Sequence, residues 1–365
     1  MQRCVNVIGV GMSAFSPAVL SREPTLLVGE VLAQTLADAG LSATDVGAVF
    51  AATGQMDAER LQRALDRAGL AALPLSIQAD SCAVLFQAAE AVALGQCECA
   101  LLLGVQDRLL PFAELGVNLP LLAATAREYM VRYRARGETL AMVAVKARQH
   151  ASLNPLAAFQ QLLSLDDVLQ APVIAEPLTQ PQLAWASSGV AAVLLCSDPV
   201  ARRAGGGPAI RVLAQARVAP AQVAGVDQDR RFAGSDYEVS VAAARELYER
   251  AGMGPQEVSV CELHDSSTIG ELLLYEALGL CPEGGAEKMV EDGDNTYGGN
   301  LVVNPSGGLL SLGQAPAVNG LVQCIELVGQ LRGTLGQRQV ADAQIALQHQ
   351  TGTDGTVITT LYQRA

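Results

Sequence analysis

The 365-residue chain has only three histidines, His150, His264 and His349, so any chemistry that needs imidazole must draw on this short set. Basic residues are also scarce: 24 Lys and Arg stand against 37 Asp and Glu, giving a net charge of −13. That balance argues against nucleic-acid binding, because phosphate calls for a basic face. Charged residues make up 17% of the chain and aromatics 4%, while half the chain is hydrophobic. This composition excludes disorder and leaves enough apolar surface for a large core. No apolar run reaches the roughly 18 residues that a spanning helix needs. The start, Met1-Gln2-Arg3-Cys4-Val5, shows no apolar stretch with a small-residue cleavage site, as a secretion signal would. The eight cysteines are scattered rather than dense. They read as reduced thiols in a cytoplasmic protein. Cys97 and Cys99 form a lone C-x-C without a second pair, so no zinc site is expected.

What is present is an alternation of strand and helix signals. Strands are predicted at 5–10, 46–50, 75–77 and 100–105. Helices are predicted at 25–39, 57–68 and 83–94, the first from the spacing of Leu27, Val31, Leu32 and Leu36 before Gly40. Residues 106–185 read differently, with helices at 126–136 and 140–150 and proline-bearing loops, and look like an insertion over one face. A strand at 187–196 follows. The Gly/Pro-rich stretch 202–208 is the linker candidate. The pattern then restarts, with strands at 210–216, 258–262, 344–347 and 356–362 and helices at 239–252, 268–278 and 318–331. Two α/β halves are expected, residues 1–200 and 208–365, repeating one topology at a period of about 200 residues.

Cys82 stands at a strand-to-helix junction, Ala79-Asp80-Ser81-Cys82-Ala83-Val84. The first turn of a helix offers outward N–H groups and the positive end of the dipole, both of which lower a thiol pKa. A thiolate there is a nucleophile that splits one hard acyl transfer into two easier ones. The alternative is a buried core cysteine. His264 ends a strand in Cys261-Glu262-Leu263-His264-Asp265-Ser266-Ser267. Strand C-termini are where α/β folds place catalytic groups, and an imidazole there can serve an oxyanion or take a thiol proton. It can equally be a helix-entry residue with Asp265 or Ser266 as N-cap. Glu271 and Glu276 on the next helix read as solvated or structural, and His150 as a helix-surface residue. The turns Asn304-Pro305-Ser306-Gly307-Gly308 and Gly313-Gln314-Ala315-Pro316 allow close backbone approach to a ligand. They lack the phosphate-binding G-x-x-x-x-G-K-[ST] pattern.

Taken in order, these segments resemble the thiolase superfamily, and most nearly its sterol-carrier-protein type. The resemblance rests on Glu262-Leu263-His264-Asp265, on Tyr275-Glu276-Ala277-Leu278-Gly279-Leu280-Cys281-Pro282-Glu283-Gly284, on Thr296-Tyr297-Gly298-Gly299 and on Val303-Asn304-Pro305-Ser306-Gly307-Gly308. It extends to Tyr129-Met130, Lys146, Arg148 and Asn154-Pro155 in the insertion and to Leu347-Gln348-His349 near the end. It implies a thiolase fold: two pseudo-duplicated βαβαβαββ halves in a five-layered α-β-α-β-α structure with an insertion (loop) domain. By resemblance, Cys82 falls on the nucleophile that carries the acyl group. His264 falls on the histidine of a His-Asp-Cys-Phe motif, and Gly307 and Gly308 on glycines of the catalytic loop that Asn304 opens. Backbone N–H groups near Cys82 and Gly355 would form an oxyanion hole. Acyl-CoA or an acyl carrier protein thioester would be the substrate, with no bound cofactor and no metal. Coenzyme A recognition would use basic residues of the insertion, from Arg127, Arg132, Arg134, Arg136, Lys146 and Arg148, although solvated helix charge is an equal reading. A homodimer is the default assembly.

The departures from the family pattern redirect the reading. Gln314 stands where a Gly-His-Pro histidine would activate the nucleophile, Ser266 where a cysteine acts as acid and base, and Val84 where serine is usual. A neutral amide cannot accept a proton at pH 7, and a serine hydroxyl is a far weaker acid than a thiol. An ordinary degradative thiolase is therefore not expected. The remaining cysteine, histidine and amide are similar to the Cys-His-Asn set of ketoacyl synthases, with Gln314 longer than asparagine by about one C–C bond. In that set decarboxylation generates the carbanion without a strong base. His349, in Gln348-His349-Gln350, is a further acid/base candidate. The favoured expectation is an acyltransferase or condensing enzyme acting through acyl-Cys82. The alternatives are a thiolase-like retro-aldolase (lyase) using Tyr297 or His264, and a supporting subunit beside a ketoacyl-synthase-like or small OB-fold, zinc-ribbon partner.

Overall fold

A computed structural model describes residues 3–20, 22–223, 232 and 235–364. The first half runs β1 (Val5–Met12), α1 (Pro24–Ala39), β2 (Ala48–Ala52), α2 (Ala58–Arg67), β3 (Leu75–Ile77), α3 (Ser81–Ala93) and β4 (Cys99–Gln106). An insertion follows, with α4 (Leu119–Tyr133), α5 (Gly137–Ser152), α6 (Leu165–Leu169) and a hairpin of β5 (Val173–Ala175) and β6 (Leu178–Thr179). Strand β7 (Gly189–Ser197) rejoins the sheet, and α7 (Asp198–Arg203) leads into a loop over 204–209. The second half runs β8 (Ile210–Val218), α8 (Pro220–Val223), α9 (Tyr237–Ala251), β9 (Val260–Glu262), α10 (Thr268–Ala277), α11 (Ala286–Glu291), β10 (Val302–Val303), α12 (Gly308–Leu312), α13 (Asn319–Arg332), β11 (Ile345–Thr351) and β12 (Val357–Arg364).

Ten strands are hydrogen-bonded in the order β10-β9-β11-β12-β8-β1-β7-β4-β2-β3. Leaving the insertion hairpin aside and numbering the strands within each half, both halves read 3-2-4-5-1. Pairing directions agree as well. The second strand of each half is parallel to the third and fourth, and the fifth is antiparallel to the fourth and first. The expected duplication is therefore a repeated topology. The halves join where Val5–Val7 of β1 meet Ile210–Val212 of β8.

Side chains alternate across each strand and so feed different cores. On β4, Leu101 and Leu103 pack with Val28, Leu32, Leu61 and Leu65 of α1 and α2. Ala100 and Leu102 instead meet Val84 and Leu85 of α3 and Leu321 and Leu327 of α13. On the other half, Ala346 and Tyr362 face that same middle layer, whereas Leu347 and Leu361 pack with Leu247 of α9 and Leu272 of α10. The layers are thus α1/α2, sheet, α3/α13, sheet, α9/α10. A fully buried leucine in such a layer contributes about 2 kcal/mol. Helix α13 is buried on nearly every side, as befits a helix enclosed between two sheets.

Several boundaries differ from the periodicity. Helix α3 starts at Ser81 rather than 83 because Asp80 caps it, its side chain accepting from the Ala83 N–H at 3.0 Å. Helix α4 starts at Leu119 rather than 126, with Asn118 as its cap and a proline in its first turn. His150 is not on the surface: it is 1% exposed. Helix α5 packs against α10, α11 and α12, and the His150 ring lies 2.9 Å from Asn304 O and 2.7 Å from Thr296 Oγ1. Of the two readings of Glu271 and Glu276, solvated or structural, the structural one holds. Glu271 is buried against Lys146 and Tyr275, and Glu276 accepts the Tyr129 hydroxyl at 2.5 Å.

Candidate active site

Two helix N-termini converge in the middle layer. Helix α3 opens with Ser81-Cys82 and α13 with Asn319-Gly320. The Gly320 N–H donates to Ser81 Oγ at 2.9 Å, and Ser81 Oγ donates to Pro316 O at 2.8 Å. The positive ends of both helix dipoles therefore meet beside Cys82. The first N–H groups of a helix have no intrahelical acceptor; here those of Ser81, Ala83 and Gly320 are taken by Pro316 O, Asp80 Oδ1 and Ser81 Oγ, which leaves the Cys82 N–H as the donor to spare among those of the described residues at this junction. Asp80 secures it from above: one carboxylate oxygen caps α3, and the other accepts from the Thr353 N–H at 3.0 Å, in the loop between β11 and β12.

Cys82 is 3% exposed, with its sulfur 3.9 Å from Gln350 O. The lowered thiol pKa expected from the helix terminus is overturned here. Burial, reinforced by the Asp80 and Asp354 carboxylates, pushes the thiol well above its usual range, against a weaker pull from Arg217. Desolvation outweighs the dipole, and resting Cys82 is a neutral thiol.

A cavity of about 1070 Å³ opens beside this junction; Asp80, His264, Ser266, Gln314, Gln350 and Gly355 are among its lining residues, with Asp236 and Arg245 among the charged ones. His264 follows β9 into the cavity. Burial lowers its pKa, so the ring is neutral, and its Nδ1 is buried without a partner. The Ser266 N–H donates to His264 O at 3.1 Å, which holds the turn tight. Gln314 is pinned from the opposite side by its N–H on Trp185 O at 2.7 Å. Its Nε2 reaches Leu115 O at 3.3 Å, while its Oε1 is buried and unpaired. An amide nitrogen has two protons, so Gln314 keeps a second N–H as well as an acceptor.

Other sequence candidates lie off the cavity wall. His349 is on β11 but points toward α9, its Nε2 2.9 Å from Ser240 Oγ. Burial and its neighbour His264 hold its pKa down at about 4. Tyr297 donates its hydroxyl to Arg338 O at 2.8 Å and packs edge-on against His150. Asn304 spends its side chain on the Leu263 N–H and on Glu271. Gly307 and Gly308 have φ values of +101° and +61°. Their glycine identity lets the turn approach Ala151 and the Asp265 carboxylate, where side chains would overlap. Gly355 does line the cavity, but its N–H is used by Gly352 O at 3.0 Å.

Of the basic residues considered for coenzyme A, Arg132 lines the cavity, 3.3 Å from Glu128 and over the Phe232 ring. Lys146 is buried on Glu271, Arg148 covers Phe159, and Arg127 and Arg136 are tied to Glu176 O and to Glu287 and Glu291. Arg134 closes α4 in a left-handed conformation. Sequence reasoning overlooked Asp80 and Gln350. The cap pattern signals the first, while the second became visible only once the loop folded back over α3. Among the described residues no cluster of His, Cys, Asp and Glu could hold a metal, and no helix is long and apolar enough to cross a membrane.

Residues 228–362 match the family model described as Thiolase C-terminal domain-like. Over 397 residues the chain is 36% identical to sterol carrier protein 2 of Bos taurus, covering 98% of this chain and 72% of that protein. It is 39% identical over 232 residues to benzoylsuccinyl-CoA thiolase subunit BbsB of Thauera aromatica, covering 63% of this chain and 59% of that one. A solved Ltp2-ChsH2(DUF35) aldolase superposes with a TM-score of 0.84 at 26% identity, over 99% of this chain and 98% of its own. Human mitochondrial 3-ketoacyl-CoA thiolase shares the fold, with a TM-score of 0.74 at 15% identity over 100% of this chain and 99% of its own. The repeated 3-2-4-5-1 halves and the matches along almost the whole chain lead to one assignment: the chain belongs to the thiolase superfamily and is built on the framework of its thiolase-like acyltransferases.

Proposed function

We propose that the chain is an acyltransferase or condensing enzyme that takes an acyl group from acyl-CoA or an acyl carrier protein thioester onto Cys82. The observation that carries this reading is that His264 and Gln314 line one cavity together with Asp80, which caps the helix start bearing Cys82, and Gln350, whose carbonyl lies 3.9 Å from its sulfur. In the first step the Cys82 proton passes to neutral His264 and the sulfur attacks the thioester carbon. A new C–S bond forms, the carbonyl π electrons move to oxygen, and that oxygen is held by the Cys82 N–H. The oxyanion then collapses, the bond to the leaving thiol sulfur breaks, and His264 returns the proton to that sulfur. A second nucleophile then attacks the acyl carbon, the C–S bond to Cys82 breaks, and the released thiolate takes the proton given up by that nucleophile or, where the nucleophile is a carbanion, one from solvent. In a condensation, loss of CO₂ from a carboxylated partner thioester supplies that carbanion, with Gln314 and His264 bound to the thioester oxygen. A neutral resting thiol fits this order, because the thiolate need exist only when substrate has displaced water.

Similarity to the aldolase structure keeps a lyase reading in view, and BbsB, named as a subunit, a heteromeric one. Tyr297 does not favour the lyase, since its hydroxyl is occupied by Arg338 O away from the cavity. The deciding experiment is intact-mass analysis after incubation with acyl-CoA and acyl carrier protein thioesters of graded length. An adduct on Cys82 that disappears in Cys82→Ala supports the acyl-enzyme. Full turnover by Cys82→Ala sinks it, and turnover only with an added partner subunit would favour the heteromer.

A further inference from the structure

Gln350 lies at the same junction and has no role in the reading above. It sits near the end of β11, 4% exposed, and lines the cavity. Its backbone carbonyl lies 3.9 Å from the Cys82 sulfur. Its side-chain Oε1 is buried with no hydrogen-bond partner. That oxygen occupies the space a Cβ on Gly320 would need, a point only 3.3 Å from Cys82 N. The carbonyl end of the amide is thus held against two converging helix N-termini, where a partial negative charge is favoured. Among the described residues Nε2 has no acceptor, and with Oε1 buried it is the end of the amide left to the cavity that Gln350 lines.

We propose that Gln350 is a side-chain donor to the thioester oxygen during acylation of Cys82, acting together with the Cys82 N–H, the one N–H in the first turn of α3 that the described residues leave without an acceptor. This rests on the acyl-enzyme reading and adds a residue to it. The helix termini polarise the amide by drawing on Oε1, which strengthens Nε2–H as a donor. When the sulfur attacks, negative charge develops on the former carbonyl oxygen, and Nε2 is placed to receive it. No proton is transferred by Gln350, so its contribution is electrostatic. Gly320 belongs to the same device, because only a residue without a side chain leaves room for Oε1.

The test is single-turnover acylation of Cys82 followed by mass spectrometry, with iodoacetamide alkylation of the same thiol measured in parallel. Alkylation attacks a saturated carbon and creates no oxyanion. Gln350→Met is expected to slow acylation by about 100-fold, the usual effect of deleting an oxyanion donor, while alkylation stays within about threefold. Gln350→Asn should recover part of the rate. Gly320→Ala, which displaces the amide without removing it, should slow acylation similarly, and the double variant should be no slower than the worse single variant. Equal slowing of acylation and alkylation would show a packing role and overturn the proposal. So would acylation by Gln350→Met at the wild-type rate. If wild-type protein forms no adduct with any thioester, the acyl-enzyme reading falls, and this inference falls with it. If only the Gln350 variants behave as wild type, this inference falls alone.

Discussion

Asp80 Oδ2 accepts the Thr353 N–H at 3.0 Å while Oδ1 caps α3 through the Ala83 N–H at 3.0 Å. One carboxylate therefore ties α3, the helix that bears Cys82, in the first half to the hairpin loop of the second half. Asp80→Ala should lose both contacts. The cap alone is worth about 1 kcal/mol, and the freed loop should add to that. Chemical denaturation should show a loss of about 1–2 kcal/mol, with Cys82 more accessible to alkylating agents. Unchanged stability and unchanged accessibility would mean that the loop is held elsewhere.

The burial of Cys82 makes a pH prediction of definite sign. Its folded pKa lies above the unfolded value, with burial as the main cause and Asp80 the next. The thiol therefore contributes stability that is complete below the unfolded pKa of about 8.5 and is lost as pH rises toward the folded one. Alkylation of Cys82 should be slow near pH 7 and climb steeply above about pH 9. Asp80→Asn, which keeps an acceptor but removes the charge, should shift that profile to lower pH. A rate profile centred at or below pH 8 in the native protein would contradict this account.

His150 carries the opposite sign. It is buried neutral between Asn304 O and Thr296 Oγ1, and burial pushes its pKa down to about 3. A group with a depressed folded pKa gives stability that is complete above its unfolded value, about 6.5 for histidine, and is lost as pH falls toward the folded value. His150→Gln retains a donor for Asn304 O but takes up no proton. Its stability should fall less steeply than that of the wild type between about pH 6.5 and 4. Parallel stability curves for the two proteins over that range would show that His150 does not titrate on unfolding.

The glycines of the α12 turn make a prediction that separates structure from catalysis. Gly308 has φ +61°, and a Cβ there would overlap the Asp265 carboxylate, which accepts the Leu309 N–H at 2.7 Å. Gly308→Ala should cost at least about 1–2 kcal/mol from the left-handed backbone alone. It should do so without slowing acylation of whatever fraction stays folded, since Gly308 does not line the cavity. Acylation lost at full stability would instead place this turn in the catalytic machinery.

Much of this arrangement is readable from the chain, and the unreadable part has a physical cause. The alternating signals before 106 and after 208 predict both halves, because buried parallel strands and their covering helices are long and apolar. The motifs around Cys82 and His264 mark two element boundaries, the start of α3 and the end of β9, that lie beside and on the cavity. What fails is burial. The apolar spacing of α5 cannot show that α10, α11 and α12 cover its polar face too, and so His150 reads as exposed. The dipole argument at Cys82 likewise omits the two carboxylates and the desolvation that only the folded hairpin brings. Tyr297 and Asn304 lie in motifs that look functional, yet their polar atoms are used by Arg338 O and by Leu263 N and Glu271.

Gln314 offers the sharpest test of why this site departs from its family. Its Nε2 is held by Leu115 O at 3.3 Å, its Oε1 is unpaired and it lines the cavity opposite His264. The amide can orient a thioester oxygen but cannot take a proton. Gln314→Leu should therefore slow acyl transfer by about 100-fold while leaving the pH dependence of the rate in place, because no titrating group is removed. Gln314→His should restore an imidazole at the position where the family pattern has one. Thiolysis of a 3-oxoacyl-CoA by free coenzyme A should then rise above the wild-type rate, with a new rate dependence near the histidine range of about pH 6–7. A wild-type protein that already cleaves 3-oxoacyl-CoA rapidly, or a leucine variant that transfers acyl groups at full rate, would show that the amide does not determine the reaction.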